Sequence, residues 1–195
     1  MKIRSVWDTP LARAVSKSGE QIRYAVGQST LGSVLVALGE NGVVMISVGE
    51  SLEELIAELE VRFPQADIAP GHREEKQAVA QVVASIEDPG KGLDLPLDIR
   101  GTDFQKRVWR AVRDIPLGQA STYTEIARKI GAPKAMRAVG TACSKCDFAI
   151  AVPCHRVLRS DGTFHAGVWS TGRQGILMKR EIEAAKKHSR RTKAK

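Results

Sequence analysis

Between residues 21 and 49 the chain reads as three strands in succession, and beyond residue 100 it reads as helices. Residues 21–27 lead to the run Val34-Leu35-Val36-Ala37-Leu38, and Val43-Val44-Met45-Ile46-Ser47-Val48 follows after Glu40-Asn41-Gly42. Asn-Gly between two β-rich runs is a hairpin signal, because both residues tolerate positive φ. The first half therefore reads as a small α+β unit and the second as helical. Within the first half, Ser51 and Glu54 have the spacing of a capping box. Leu52, Leu55, Ile56, Leu59 and Phe63 then recur at helical spacing until Pro64. A second helix carries Val79, Val82, Val83 and Ile86, and residues 93–99 read as an alternating, extended connection. This half shows no catalytic cluster and reads as a scaffold.

The second half predicts three helices. Phe104, Val108, Trp109 and Val112 with Ile115 define an amphipathic helix ending before Pro116-Leu117-Gly118. A second spans 122–130 and stops at Gly131-Ala132-Pro133; a third spans 134–145 and is rich in small residues. Two short helices across a glycine-containing turn fit a helix-turn-helix. The third helix offers Lys134, Met136 and Arg137 among the small Ala135 and Ala138. Small residues let a backbone approach closely, which suits a narrow groove and phosphates; simple packing against neighbouring helices is the alternative. The run Phe148-Ala149-Ile150-Ala151-Val152 reads as an inner strand ended by Pro153, which presents Cys154 and His155 at its exit. A free thiol has a pKa near ~8.5 and needs help at neutral pH, which an adjoining imidazole can give. A buried structural cysteine is the competing reading.

At 195 residues the chain fits one large domain or two small ones, divided here as an extension 1–20, an N-terminal domain 21–100, a second domain 101–185 and a basic tail 186–195. The net charge of +8, with a pI of about 9.6, favours acidic partners, nucleic acid first. No run of 18 apolar residues is present, so no membrane helix is expected, and residues 1–21 lack a secretory signal's apolar segment. Cys143, Cys146 and Cys154 are an odd set within twelve residues rather than a disulfide framework, which implies a reducing, cytoplasmic setting. Cys143-Ser-Lys-Cys146 is a CxxC; zinc would need two more ligands that His72, His155, His165 and His188 do not supply by spacing. A redox pair or two ordinary helix-end thiols remain as readings, and no metal site is expected. The tail from Lys186 to Lys195 reads as a solvated, disordered end, with non-specific phosphate contact as the alternative.

Taken together, these residues resemble the O6-alkylguanine-DNA alkyltransferases, the methylated-DNA–protein-cysteine methyltransferases. The likeness runs from about Gln21 to Glu181 and rests on Gly101-Thr102-Asp103-Phe104-Gln105-Lys106-Arg107-Val108-Trp109, Ile115-Pro116-Leu117-Gly118 and Tyr123-Thr124-Glu125-Ile126-Ala127. It continues through 131–140 and Pro153-Cys154-His155-Arg156-Val157. The resemblance implies an RNase H-like N-terminal domain and a winged-helix-like C-terminal domain that docks in the DNA minor groove. It implies direct, irreversible, cofactor-free transfer of the alkyl group from O6-alkylguanine in double-stranded DNA, with O4-alkylthymine as a further candidate, to Cys154. His155 would be the base acting through water, and Glu181 its orienting carboxylate. Arg137 would fill the space of the flipped nucleotide and Tyr123 would push the 3′ phosphate. Lys134, Ala135, Met136 and Ala138 would complete the DNA-binding surface, and the peptide groups of Cys154 and Val157 would meet the guanine edge beside Cys143. A single-site acceptor needs no second subunit, so a monomer is expected.

The sequence departs from the family at two places. Cys146 stands where the family usually has an asparagine hinge, and a thiol is a weak donor and acceptor. Gly167 falls where a tyrosine usually walls the base pocket, with Trp169 or His165 as candidate substitutes. Two other classes of function stay open at this point. One is a protein that recognises O6-alkylguanine without repairing it; the other is a helix-turn-helix regulator without lesion chemistry.

Overall fold

The computed structural model describes residues 19–164 and 171–193. The chain is α+β. Its first half is a four-stranded sheet of β1 (Gln21–Ser29), β2 (Gly32–Gly39), β3 (Gly42–Gly49) and β4 (Asp67–Pro70), in the order β3-β2-β1-β4. The first three strands pair antiparallel; β4, which the sequence reading did not anticipate, pairs parallel to β1. Its burial is incomplete and it is only four residues long, so it carries almost no periodic signal. Helices α1 (Leu52–Arg62) and α2 (Arg73–Glu87) cover opposite faces of the sheet. The alternation of β2 divides its side chains between them. Leu35 and Ala37 belong to the core with Leu55, Leu59 and Phe63, while Val34 and Val36 belong to the core with Val79, Val82 and Ile86. Each such aliphatic side chain, fully buried, contributes about 1.5–3 kcal/mol.

The β2–β3 hairpin forms, but its turn differs from the expected one. Gly39 pairs with Gly42, so Glu40 and Asn41 are the loop residues, and Asn41 does not take positive φ. The left-handed demand falls on Gly42 alone (φ 122), where an added Cβ would lie 2.4 Å from the Pro96 carbonyl oxygen. That contact exists because the connection between the halves joins the sheet edge: Val43 N–H donates to Pro96 O (2.7 Å) and Asp98 N–H to Val43 O (2.8 Å). At α1, Ser51 Oγ accepts the Glu54 N–H (3.1 Å), as the capping spacing requires.

In the second half α3 (Asp103–Arg113) begins with a full capping box between Thr102 and Gln105, a signal the sequence reading passed over. Val108, Trp109 and Val112 are its buried face, and Trp109 Nε1–H donates to Ala142 O (2.8 Å). A short parallel pair, β5 (Ser121–Thr122) and β6 (Val157–Leu158), brackets α4 (Tyr123–Lys129) and α5 (Met136–Ser144). The helix expected over 134–145 is therefore shorter. Lys134 lies in the preceding turn, Ala135 is a cap residue without a capping side chain, and the backbone reaches helical geometry only at Met136.

The inner strand expected over 148–152 is not formed. Phe148 makes a single bridge to Ile46, and the chain then coils. Ala151 N–H donates to Ala149 O (2.7 Å), Val152 N–H donates to Phe148 O (2.9 Å), and Ile150 sits at φ 67. An apolar run cannot reveal by composition whether it is buried as a strand or as a tight turn, and here tertiary contacts selected the turn. Ile150 is the only non-glycine residue with positive φ among the described residues. That region costs a β-branched residue about 1–2 kcal/mol. Ile150→Gly is accordingly expected to be more stable than Ile150→Ala by about 1 kcal/mol in denaturant unfolding, although alanine is normally the better tolerated. Alanine equal to or above glycine there would remove the strain argument.

The expectation of a disordered tail is also corrected. Helix α6 (Thr171–Lys193) runs through it. Alanines 184 and 185 have high helix propensity, and Glu183 precedes Lys187 at the favourable i, i+4 spacing. Residues 1–18, 165–170 and 194–195 lie outside the described set, and the expectations for Gly167, Trp169 and His165 lie there too. No described helix is long and apolar enough to cross a membrane.

Candidate active site

Cys154 opens a 3-10 turn, Cys154–Arg156, immediately before β6. Because β6 pairs with β5, the start of α4 is held beside the thiol, and Tyr123 comes to line the same cavity. This cavity has a volume of about 280 Å³, and Tyr123, Cys143, Cys146, Cys154 and Val157 form part of its wall. The first half contributes Met45, Ile46 and Arg62 to it, so that half is more than the scaffold its sequence suggested. Arg62 reaches the end of α5, donating to Asp147 Oδ2 (2.7 Å) and to Lys145 O (3.2 Å). Ile46 N–H donates to Asp147 O (2.7 Å) and Ala149 N–H to Ile46 O (3.0 Å). These bonds fasten the segment between α5 and the thiol onto the edge of β3, a link that no local sequence signal discloses.

His155 and Glu181 stand 26 positions apart along the chain but meet in space. His155 Nε2 lies 2.8 Å from Glu181 Oε1, and both side chains are buried. Arg156 grips the same carboxylate, with Nε donating to Oε2 (2.8 Å) and Nη2 to Oε1 (3.0 Å), while its Nη1 donates to Ile115 O (2.6 Å). Burial by itself would raise the Glu181 carboxyl, but the hydrogen bonds and charges of His155 and Arg156 outweigh it and hold the group down to about 2. Glu181 is therefore ionised. Arg156, which sequence reasoning left without a role, is the residue that keeps that charge compensated.

The thiol of Cys154 is pushed well above its ordinary value, by hydrogen bonding with Cys143 and Cys146 and by burial. It is consequently a thiol at rest and needs a base before it can attack. Tyr123 is raised to about 12, by burial first and then by the neighbouring Cys143 and Cys154, so its phenol stays neutral. Val157 N–H donates to the Cys154 carbonyl within the turn. Among the described residues no group of three ligating side chains is arranged to hold a metal ion.

Met136, Arg137 and Ala138 project from the first turn of α5 and are exposed, as is Lys134 just before it; Ala135 is half-buried. Thr124 Oγ1 lies 3.3 Å from Met136 Sδ, which ties the first turns of α4 and α5 together. Val139 and Ala142 face the core, while Ala138 is exposed.

Fold and site together define an α+β protein with a cysteine–histidine–glutamate constellation beside a helix-turn-helix. Residues 103–183 match the family described as 6-O-methylguanine DNA methyltransferase, DNA binding domain. The chain is 46% identical over 162 residues to the bifunctional transcriptional activator/DNA repair enzyme Ada of Escherichia coli K12, covering 83% of this chain and 46% of that protein. It is 39% identical over 139 residues to a methylated-DNA–protein-cysteine methyltransferase of Methanosarcina barkeri, covering 71% and 84% of the two chains. The crystal structure of Mycobacterium tuberculosis OGT in complex with DNA superposes with a TM-score of 0.66 at 33% identity, over 84% of this chain and 94% of that one. The chain thus belongs to the methylated-DNA–protein-cysteine methyltransferase family. It spans about half the length of the Ada proteins it matches.

Proposed function

We propose that this protein repairs DNA by moving the alkyl group of O6-alkylguanine in a duplex onto Cys154 Sγ, once per molecule. The observation that carries this reading is the buried His155–Glu181 pair (2.8 Å) set next to a thiol that is protonated at rest and lines a cavity. With Nε2 held by the carboxylate, His155 Nδ1 is assigned the thiol proton, taken through a water, and Glu181 stabilises the resulting imidazolium. The thiolate attacks the alkyl carbon, an S–C bond forms as the C–O bond breaks, and the electron pair returns to guanine. The product thioether is stable, no later step regenerates the thiol, and no cofactor is required by this chemistry. The tight compartment this needs is a reducing one, which supports a cytoplasmic setting, and one acceptor per chain is consistent with a monomer.

The alkyl group of a stacked guanine is out of reach, so the base must leave the duplex at a cost of a few kcal/mol. The exposed first turn of α5 fits this task. Lys134, Ala135, Met136 and Ala138 form its approach surface, Arg137 fills the vacated stack, and Tyr123 meets the 3′ phosphate. Arg137→Ala is expected to slow transfer from duplex DNA far more than transfer from free O6-benzylguanine, measured as paired single-turnover rates. Equal losses would assign Arg137 to pocket support instead. We read the first half as RNase H-like, from its antiparallel β1–β3 with a parallel β4. The second half reads as winged-helix-like, from α3, α4 and α5 with the β5–β6 pair.

Intact mass after incubation with a duplex containing O6-methylguanine tests the proposal. It should show a gain of one methylene on the Cys154 peptide. Tight lesion binding with unchanged mass would instead assign recognition without repair.

A further inference from the structure

Cys143 and Cys146 have no step in the reaction above. They lie at the end of α5, where Cys146 N–H donates to Cys143 O (3.3 Å). Both line the Cys154 cavity. Both neighbours act on the Cys154 thiol and raise its proton affinity. All three cysteines are free and only partly exposed, so three thiols share one cavity that small solutes can reach.

We propose that Cys154 is a reversible oxidation site, with Cys143 or Cys146 as the resolving thiol of a disulfide that withholds the nucleophile. A peroxide is the oxidant by class. It converts one thiol of the cluster to a sulfenic acid and is itself reduced to water. A neighbouring thiol then attacks that sulfur, the S–O bond breaks, and a second water leaves as the disulfide forms. Two thiols have lost two electrons and two protons, and a dithiol reductant returns them. Either sulfur of the reacting pair can be oxidised first, and the product is the same as long as that pair includes Cys154. Closing the bond brings the two sulfurs to about 2.05 Å. Cys146 lies beyond the last helical residue of α5, where the backbone can give, and Cys154 lies in a short 3-10 turn. Without a resolving thiol a sulfenic acid proceeds to sulfinic acid, which thiols do not reverse. For an acceptor used once, that would discard an unspent molecule.

The consequence for repair rests on the alkyl-transfer reading, but the disulfide itself does not, and the experiment separates them. The full chain is treated with a small excess of hydrogen peroxide, its remaining thiols are blocked, and it is mapped without reduction. The expected product retains one free thiol and links the Cys154 peptide to the peptide holding Cys143 or Cys146. Dithiothreitol should then restore three thiols and the alkyl transfer of the untreated sample. In the Cys143→Ser/Cys146→Ser double variant, dithiothreitol should recover far less of that variant's own untreated activity. A disulfide joining Cys143 to Cys146 with Cys154 still free would overturn the proposal, as would Cys154 sulfinic acid beside two intact thiols. If the disulfide forms but neither state transfers an alkyl group, the oxidation site stands and the repair reading falls.

Discussion

Cys154→Ala is expected to abolish alkyl transfer while leaving binding to an O6-methylguanine duplex largely unchanged. In the proposed reaction the sulfur receives the alkyl group, so its removal deletes the reaction rather than slowing it. Its contribution to binding is small, since the thiol lies half-buried in the cavity while the exposed first turn of α5 faces outward. The adjacent thiols sharpen the test. Cys143 and Cys146 line the same cavity and are the only other cysteines, so a misassigned acceptor among them would still leave a methylated peptide. Intact mass and a gel-shift titration together check both halves of the expectation. Methylation of the variant at either neighbour would sink the assignment.

Glu181→Ala has the second largest expected effect, and it acts on stability and rate together. The carboxylate is buried and receives three contacts, one from His155 and two from Arg156. Its loss strands a mostly buried guanidinium without its counter-charge, a change that costs about 3–5 kcal/mol. It also frees the His155 ring, and losing an oriented general base lowers the rate by about 10²–10⁴. Urea unfolding and single-turnover transfer measure the two effects separately. A variant that lost rate with unchanged stability would show that Arg156 is satisfied elsewhere. The acid limit follows from the same pair. The Glu181 carboxyl is depressed from 4.5 to about 2, so its contribution is fully present above about pH 4.5 and is lost as the pH falls toward 2. Glu181→Ala should therefore flatten that part of the stability profile.

Much of this protein is legible in its sequence because the signals are local. Alternation and β-branching marked β1 to β3, the 3.6-residue spacing marked α1 to α4, and Gly131 marked the turn before α5. The Pro-Cys-His-Arg-Val block and Glu181 could be paired only through a family resemblance, since 26 residues separate His155 from its carboxylate. Arg156 and Arg62 went unnoticed because a surface-type side chain carries no mark of the carboxylate it will meet.

The sequence by itself determined the strand-first, helix-later order and the two short helices about Gly131, since hydrophobic period and turn residues are written residue by residue. Tertiary structure alone decided the rest. It turned 148–152 into a strained coil rather than a strand, because one bridge to Ile46 and the hydrogen bonds of a tight turn satisfied its backbone. It continued α6 through a basic segment whose charge had pointed to disorder. It also brought three thiols to one cavity and set an ionised glutamate against a buried histidine. Proximity of that kind, and the desolvation that shifts each group's proton affinity, exist only once distant segments have packed together.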